Sequence, residues 1–181
     1  MRPTRAGGAF PRTGRDAALR LLLLAVYITL IGYAGVNHAM WRDEAQAWLI
    51  ARDAGGIAGL FDNLRYEGHP ALWHLLLHVL TRMSDDPNLM LALNFVLMSV
   101  AASLVLWCLP LRTWERILFP FGTYMLFEYS VKARSYGLGT LLVVLLCLAW
   151  PRRADRPVRL ALVLALLANT HALFFLVTLA A

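Results

Sequence analysis

Long apolar runs, fenced at their ends by arginines, constrain this chain more than any other feature. Leu19 to Val36 contains Leu21-Leu22-Leu23-Leu24 and no acid, and Asn88 to Leu109 is apolar over 22 residues. At ~1.5 Å of rise per residue the second run reaches ~33 Å, enough to cross the ~30 Å hydrocarbon core of a bilayer. Further apolar runs lie at Arg116–Phe127, Tyr136–Trp150 and Arg159–Ala180. With 60% apolar and 15% charged residues the chain is far from a soluble domain, which runs near 45–50% and about 25%. That excludes a disordered chain and argues against a water-soluble globule. The net charge of +6 does not point to nucleic acid, because the basic residues sit at the ends of apolar runs and form no polar face. Cys108 and Cys147 both lie inside apolar runs, so neither a disulfide framework nor a cysteine zinc site is expected.

Charge sets the expected topology. The first run is longer than the usual 7–15 residues of a signal peptide, and the nearest small-x-small site, Ala45-Gln46-Ala47, lies in a charged segment. An uncleaved span is therefore expected. The segment Pro70–Met83 is only 14 residues long, a length that suits an interfacial or re-entrant helix. If it does not cross, residues 1–20, 110–116 and 151–159 share one face and carry 11 of the 17 basic residues. If it crosses, Arg152, Arg153, Arg156 and Arg159 move outside, against the positive-inside rule. The expectation is an all-α integral membrane protein with about five transmembrane helices. Its basic N-terminus, residues 1–18, is cytoplasmic, and its membrane domain is 19–181. A long outer loop, 37–87, carries short interfacial helices and holds seven acids against four arginines.

Within that loop Asp43-Glu44 opens a helical pattern in which Ala45, Trp48 and Leu49 form an apolar stripe. Gly55-Gly56 stops it, and Gly68 permits a tight bend before Pro70 starts the next helix. There Leu72, Leu75, Leu76, Val79 and Leu80 make the apolar face, with His74 and His78 at i, i+4. No acid sits between those histidines as in H-E-x-x-H, so they read as interfacial polar residues and not as a metal pair.

A few polar residues have the chemistry for a site. Asp43 and Glu44 follow a span among apolar neighbours; partial desolvation raises a carboxylate's pKa and suits it to act as a base, while the same position suits a helix cap. Glu67 and His69 flank Gly68 and have the donors and acceptors for a sugar hydroxyl or a metal; turn chemistry explains them equally well. Lys132 and Arg134 occupy a short outer turn with Glu128, and cations at membrane depth need an anionic partner or must snorkel to the headgroups. A lipid-borne phosphate would supply that partner. His171, beside Asn169 and Thr170 in the last apolar run, should face the protein interior, as part of a site or as a hydrogen-bonded packing residue.

Three short elements carry a resemblance. Trp41-Arg42-Asp43-Glu44-Ala45 resembles the start of the outer loop in GT-C glycosyltransferases. Tyr66-Glu67-Gly68-His69-Pro70-Ala71-Leu72-Trp73 resembles that superfamily's acid-x-x-Pro-Pro-Leu-Tyr element, with Ala71 in place of the second proline. The stretch from Tyr129 to Tyr136 resembles its Tyr-Ser-x-x-Ala-Arg-Pro-Tyr element, with Ser135 in place of proline. The nearest branch is the bacterial protein-mannosyltransferase-like group, which includes lipopolysaccharide-core and lipid A sugar transferases. The resemblance implies inverting transfer of a sugar from a polyprenyl-phosphate donor to a lipid, glycan or protein acceptor, on the outer face of the bacterial inner membrane. It implies Asp43 as catalytic base, with Glu44 or Glu67 positioning the acceptor or a metal, and Lys132 and Arg134 neutralising the departing phosphate. Arg42, Glu67, His69, Lys132, Arg134, Tyr136 and His171 form the implied substrate-binding set. Metal use varies across the superfamily, so no cofactor is inferred. Its members are much longer, so the resemblance implies the N-terminal piece of an enzyme, a fragment or a truncated gene. Two further readings stand beside it: a non-catalytic membrane scaffold or lipid-binding subunit, and part of a transporter, which ranks last because no internal repeat is present.

Overall fold

The computed structural model describes residues 14–181, and the described residues form only helices and their connections. Most of the expected basic N-terminus, residues 1–13, lies outside the described residues. Helix α1 (Gly14–Val36) leads to three short helices, α2 (Arg42–Arg52), α3 (Ile57–Leu64) and α4 (Leu72–Thr81). Helix α5 (Asn88–Trp107) follows, then α6 (Thr113–Leu118), a π-turn (Tyr124–Glu128) running into the single turn α7 (Tyr129–Val131), and α8 (Ser135–Ala149) with a 3₁₀ turn to Arg152. Helices α9 (Pro157–Ala168) and α10 (Ala172–Ala180) end the chain.

Three helical segments are long and apolar enough to cross a membrane: Gly14–Val36, Asn88–Trp107 and Ser135–Arg152. Helix α4 has 10 residues, ~15 Å at helical rise, about half the hydrocarbon thickness. The other two expected spans are not single helices. Arg116–Phe127 breaks after α6 because Pro120 has no N–H to donate and its ring opposes helix continuation. Arg159–Ala180 breaks at Asn169-Thr170-His171, where side chains satisfy the interrupted backbone. Asn169 Nδ2 donates to the Ala165 carbonyl (2.8 Å), Thr170 Oγ1 to that of Leu167 (2.6 Å), and His171 Nδ1 accepts from Leu173 N (3.2 Å) as the cap of α10. The Asn169 carbonyl accepts from Leu72 N at 3.1 Å, tying the break to the start of α4.

Among the described residues four apolar clusters hold the helices, two of them small, at Ala54, Leu60 and Leu64 and at Val105, Leu109 and Val144. Tyr27 and Ile31 of α1 pack on Met98 and Ala102 of α5 and on Met125 of the π-turn. Trp48 and Ala51 of α2, Trp73 and Leu77 of α4, Met90 of α5, and Leu138, Leu142 and Leu146 of α8 form the larger one. Helix α8 carries its glycines on the packed side: a Cβ on Gly137 would collide with Asn94 Oδ1, and one on Gly139 with the Phe174 ring.

Helix α4 buries polar residues as well as apolar ones. Its buried residues are Trp73, His74, Leu77, His78 and Thr81, while Val79 of the apolar stripe is 61% exposed. The stripe's leucines are partly buried, Leu72, Leu76 and Leu80 against the larger cluster and Leu75 against Leu60 and Leu64 of α3. The side packed on α2 takes the groups with hydrogen-bonding needs: His78 Nδ1 pairs with the Ala51 carbonyl at 2.8 Å. Gly68 does bend the chain, with φ of 66°.

Candidate active site

The short helices α2 and α4, the turn between α7 and α8, and the α9–α10 break meet around one polar cleft of about 200 Å³. Asp43 and Gln46 enter it from α2, Glu67 and His69 from the bend before α4, His74 from α4, and Arg134 from the α7–α8 turn. Residues far apart in sequence are thus brought to one place.

The turn bearing Arg134 is fixed by three buried polar side chains, each from a different helix. Tyr27 of α1 hydrogen-bonds Ser130 Oγ at 2.6 Å and donates to the Met125 carbonyl at 3.1 Å. Ser130 Oγ also donates to that carbonyl. Asn94 of α5 donates through Nδ2 to the carbonyls of Tyr129 and Ser130, both at 3.0 Å. Glu44 of α2 accepts the Ala133 N–H at 2.6 Å on Oε1. Its Oε2 accepts the Trp41 N–H at 2.8 Å and meets His38 Nε2 at 2.7 Å.

Adjacent acids therefore play different parts. Glu44 is fully buried, lies outside the cleft lining, and has both oxygens occupied. It also carries the capping bond of α2, onto Trp41, so the cap is not Asp43. Through these bonds Glu44, expected in the site beside Asp43, braces α2 against the Arg134 turn. Asp43 instead has a side chain 54% exposed, with Oδ2 3.2 Å from Arg134 Nη1.

The remaining candidates divide. Glu67 Oε1 accepts from Gln46 Nε2 at 2.7 Å. His69 stacks on His171 with ring centroids 5.1 Å apart, and Tyr136 Oη approaches His171 Nε2 at 3.4 Å. Arg134 lies 5.3 Å from the Tyr136 ring. Lys132 is outside the cleft lining; its Nζ pairs with Glu128 at 2.7 Å and lies 3.8 Å over the Trp41 ring. Both cations thus find their anion within the chain. Arg42 is exposed and lies outside the cleft lining. Burial pushes the His74 imidazole below its ordinary pKa, with Glu67 opposing. Among the described residues no group of three or more His, Cys, Asp or Glu is placed to hold a metal.

The sequence reading passed over Tyr27, Asn94, His38 and Gln46. Tyr27 and Asn94 carried a usable signal, since a polar side chain deep in an apolar run must find a partner in the protein. Gln46 and His38 carried none. Comparison with protein-family models, curated proteins and solved structures finds no match.

Proposed function

We propose that this cleft is the transfer site of a membrane glycosyltransferase that takes its sugar from a polyprenyl phosphate. One observation carries the reading: a half-exposed carboxylate, Asp43, faces a polar cleft beside a single guanidinium, Arg134, with Glu67 and His69 across from it. Single displacement at an anomeric carbon needs these parts. The acceptor hydroxyl oxygen forms the new bond to that carbon while Asp43 takes its proton. The bond to the phosphate oxygen breaks with its electron pair, and Arg134 receives the anion in place of Asp43. Glu67, held by Gln46, orients the acceptor. Arg134 is assigned the phosphate ahead of Lys132, which faces Glu128 and Trp41. The cleft lies on the outer face of a bacterial inner membrane, the N-terminus is inside, and the broken segments 113–131 and 157–180 complete about five crossings.

A second reading, a non-catalytic scaffold or lipid-binding subunit, is favoured by the two complete ion pairs Asp43–Arg134 and Glu128–Lys132, which a purely structural turn would also make. Asp43→Asn separates the two. Membranes containing the chain are given polyprenyl-phosphate hexoses labelled in the sugar, and release of polyprenyl phosphate is followed. Loss of the general base lowers the rate about 10²–10⁴-fold with expression unchanged. Transfer at the wild-type rate by Asp43→Asn removes the catalytic reading.

A further inference from the structure

Helix α1 ends at Val36, and Asn37-His38-Ala39-Met40-Trp41 joins it to α2. His38 is anchored to the end of α1, where its N–H donates to the Gly35 carbonyl at 3.2 Å. Its side chain is turned inward, 8% exposed, with Nε2 2.7 Å from Glu44 Oε2. An apolar side chain would satisfy packing there. The imidazole adds a donor to a buried carboxylate, which needs its lone pairs occupied. Among the described residues it is the one side-chain partner of Glu44; the other two partners are backbone N–H groups, of Trp41 and Ala133.

The sequence neighbours of this clamp give it a bearing on the cleft. Glu44 follows Asp43, and Ala133 precedes Arg134. Each member of the Asp43–Arg134 pair, 3.2 Å apart, therefore stands one residue from a member of the Glu44–Ala133 bond, a Cα–Cα step of about 3.8 Å. The turn itself has little else to fix it, since Lys132 and Arg134 both have extended backbone outside any helical ladder. Trp41 touches the same turn a second time, with Lys132 Nζ 3.8 Å over its ring.

We propose that His38 is a positioning residue: by fixing the Glu44 carboxylate it sets the register of the 132–134 turn, and so the place at which Arg134 meets a phosphate beside Asp43. The inference rests on the transfer reading above and adds a residue from outside the cleft lining. A turn that spends part of its time out of register binds an anion more weakly in proportion to the lost fraction. A hydrogen bond to a buried charge is strong enough to set that fraction.

The test uses the full chain in phosphatidylcholine nanodiscs. His38→Leu removes the donor and keeps bulk, and His38→Gln restores an N–H donor. His38→Ala takes the place of His38→Leu should that variant fail to accumulate. Hydrogen–deuterium exchange of residues 128–136 reads the turn, exchange of residues 88–107 reads the helix beside it, and native mass spectrometry reads undecaprenyl-phosphate binding. In His38→Leu the turn exchanges about tenfold faster while residues 88–107 stay as in wild type, and undecaprenyl phosphate binds about tenfold more weakly. His38→Gln matches wild type in both. Adding His38→Leu to Arg134→Gln weakens binding no further, because the lost register acts only through that guanidinium. Wild-type exchange of the turn in His38→Leu, equal acceleration of residues 88–107, additive losses with Arg134→Gln, or His38→Gln behaving as His38→Leu each overturns the proposal. Wild type that does not bind undecaprenyl phosphate tells against the donor class, and the exchange result then decides for or against His38 alone.

Discussion

Replacing Glu44 tests whether adjacent acids divide between structure and chemistry. Its carboxylate is fully buried and meets three donors: Ala133 N at 2.6 Å, Trp41 N at 2.8 Å and His38 Nε2 at 2.7 Å. Hydrogen bonds to a charged group contribute about 1.5–3 kcal/mol each, and a buried donor left dry costs about 1–3 kcal/mol. Glu44→Ala deletes all three bonds, but it also relieves the cost of burying a charge. Breaking one side of such a buried pair nets about 3–5 kcal/mol of destabilisation. Glu44→Gln keeps one acceptor oxygen and should lose roughly half of that, about 1–3 kcal/mol. Asp43→Asn, one residue away, removes only a part-exposed ion pair and should cost about 0–1 kcal/mol. Urea unfolding in detergent micelles, followed through tryptophan emission with Trp41 and Trp48 on either side of the brace, gives the three values. The reasoning fails if Glu44→Ala lies within about 0.5 kcal/mol of wild type, or if Asp43→Asn is the more damaging of the pair.

Further outcomes follow from the packing and the polar groups. Gly139→Ala places a Cβ against the Phe174 ring and should cost about 1–3 kcal/mol; Phe174→Leu in the same chain should recover most of it, and no recovery would show that α10 does not rest on α8. Burial holds the His74 imidazole below its ordinary pKa of 6.5 in the fold. The unfolded chain gains a proton there as pH falls below about 6.5, so stability should decline with acid and hold steady above that value. His74→Gln should flatten this part of the pH profile, and an unchanged slope would refute the assignment. In a background where Cys108 and Cys147, both exposed, are replaced by Ala, a cysteine at Ser84 should react with an impermeant thiol reagent in intact cells and one at Ala154 should not; the opposite pattern would invert the proposed topology.

The sequence by itself determined the helical membrane-type architecture, because an apolar run long enough to cross a bilayer has few other stable conformations. Helices α1, α5 and α8 lie where the runs Leu19–Val36, Asn88–Leu109 and Tyr136–Trp150 placed them. Gly68 and Pro70 marked the bend before α4, since their backbone limits are local. The breaks at Pro120 and at Asn169-Thr170-His171 were written in residues that interrupt a helix, yet hydrophobicity alone read through them. Facing is a different matter. In α4 the spacing marked an apolar face but not what covers it: Trp73, His74 and His78 are buried, the stripe's leucines only partly so, and Val79 is exposed. Asp43 and Glu44 carry the same chemistry side by side, so nothing local distinguishes them. Neighbours on an α-helix point about 100° apart, and only the packing of α2 against α4 and the Ala133 backbone decided that Glu44 would turn inward and Asp43 would face the cleft.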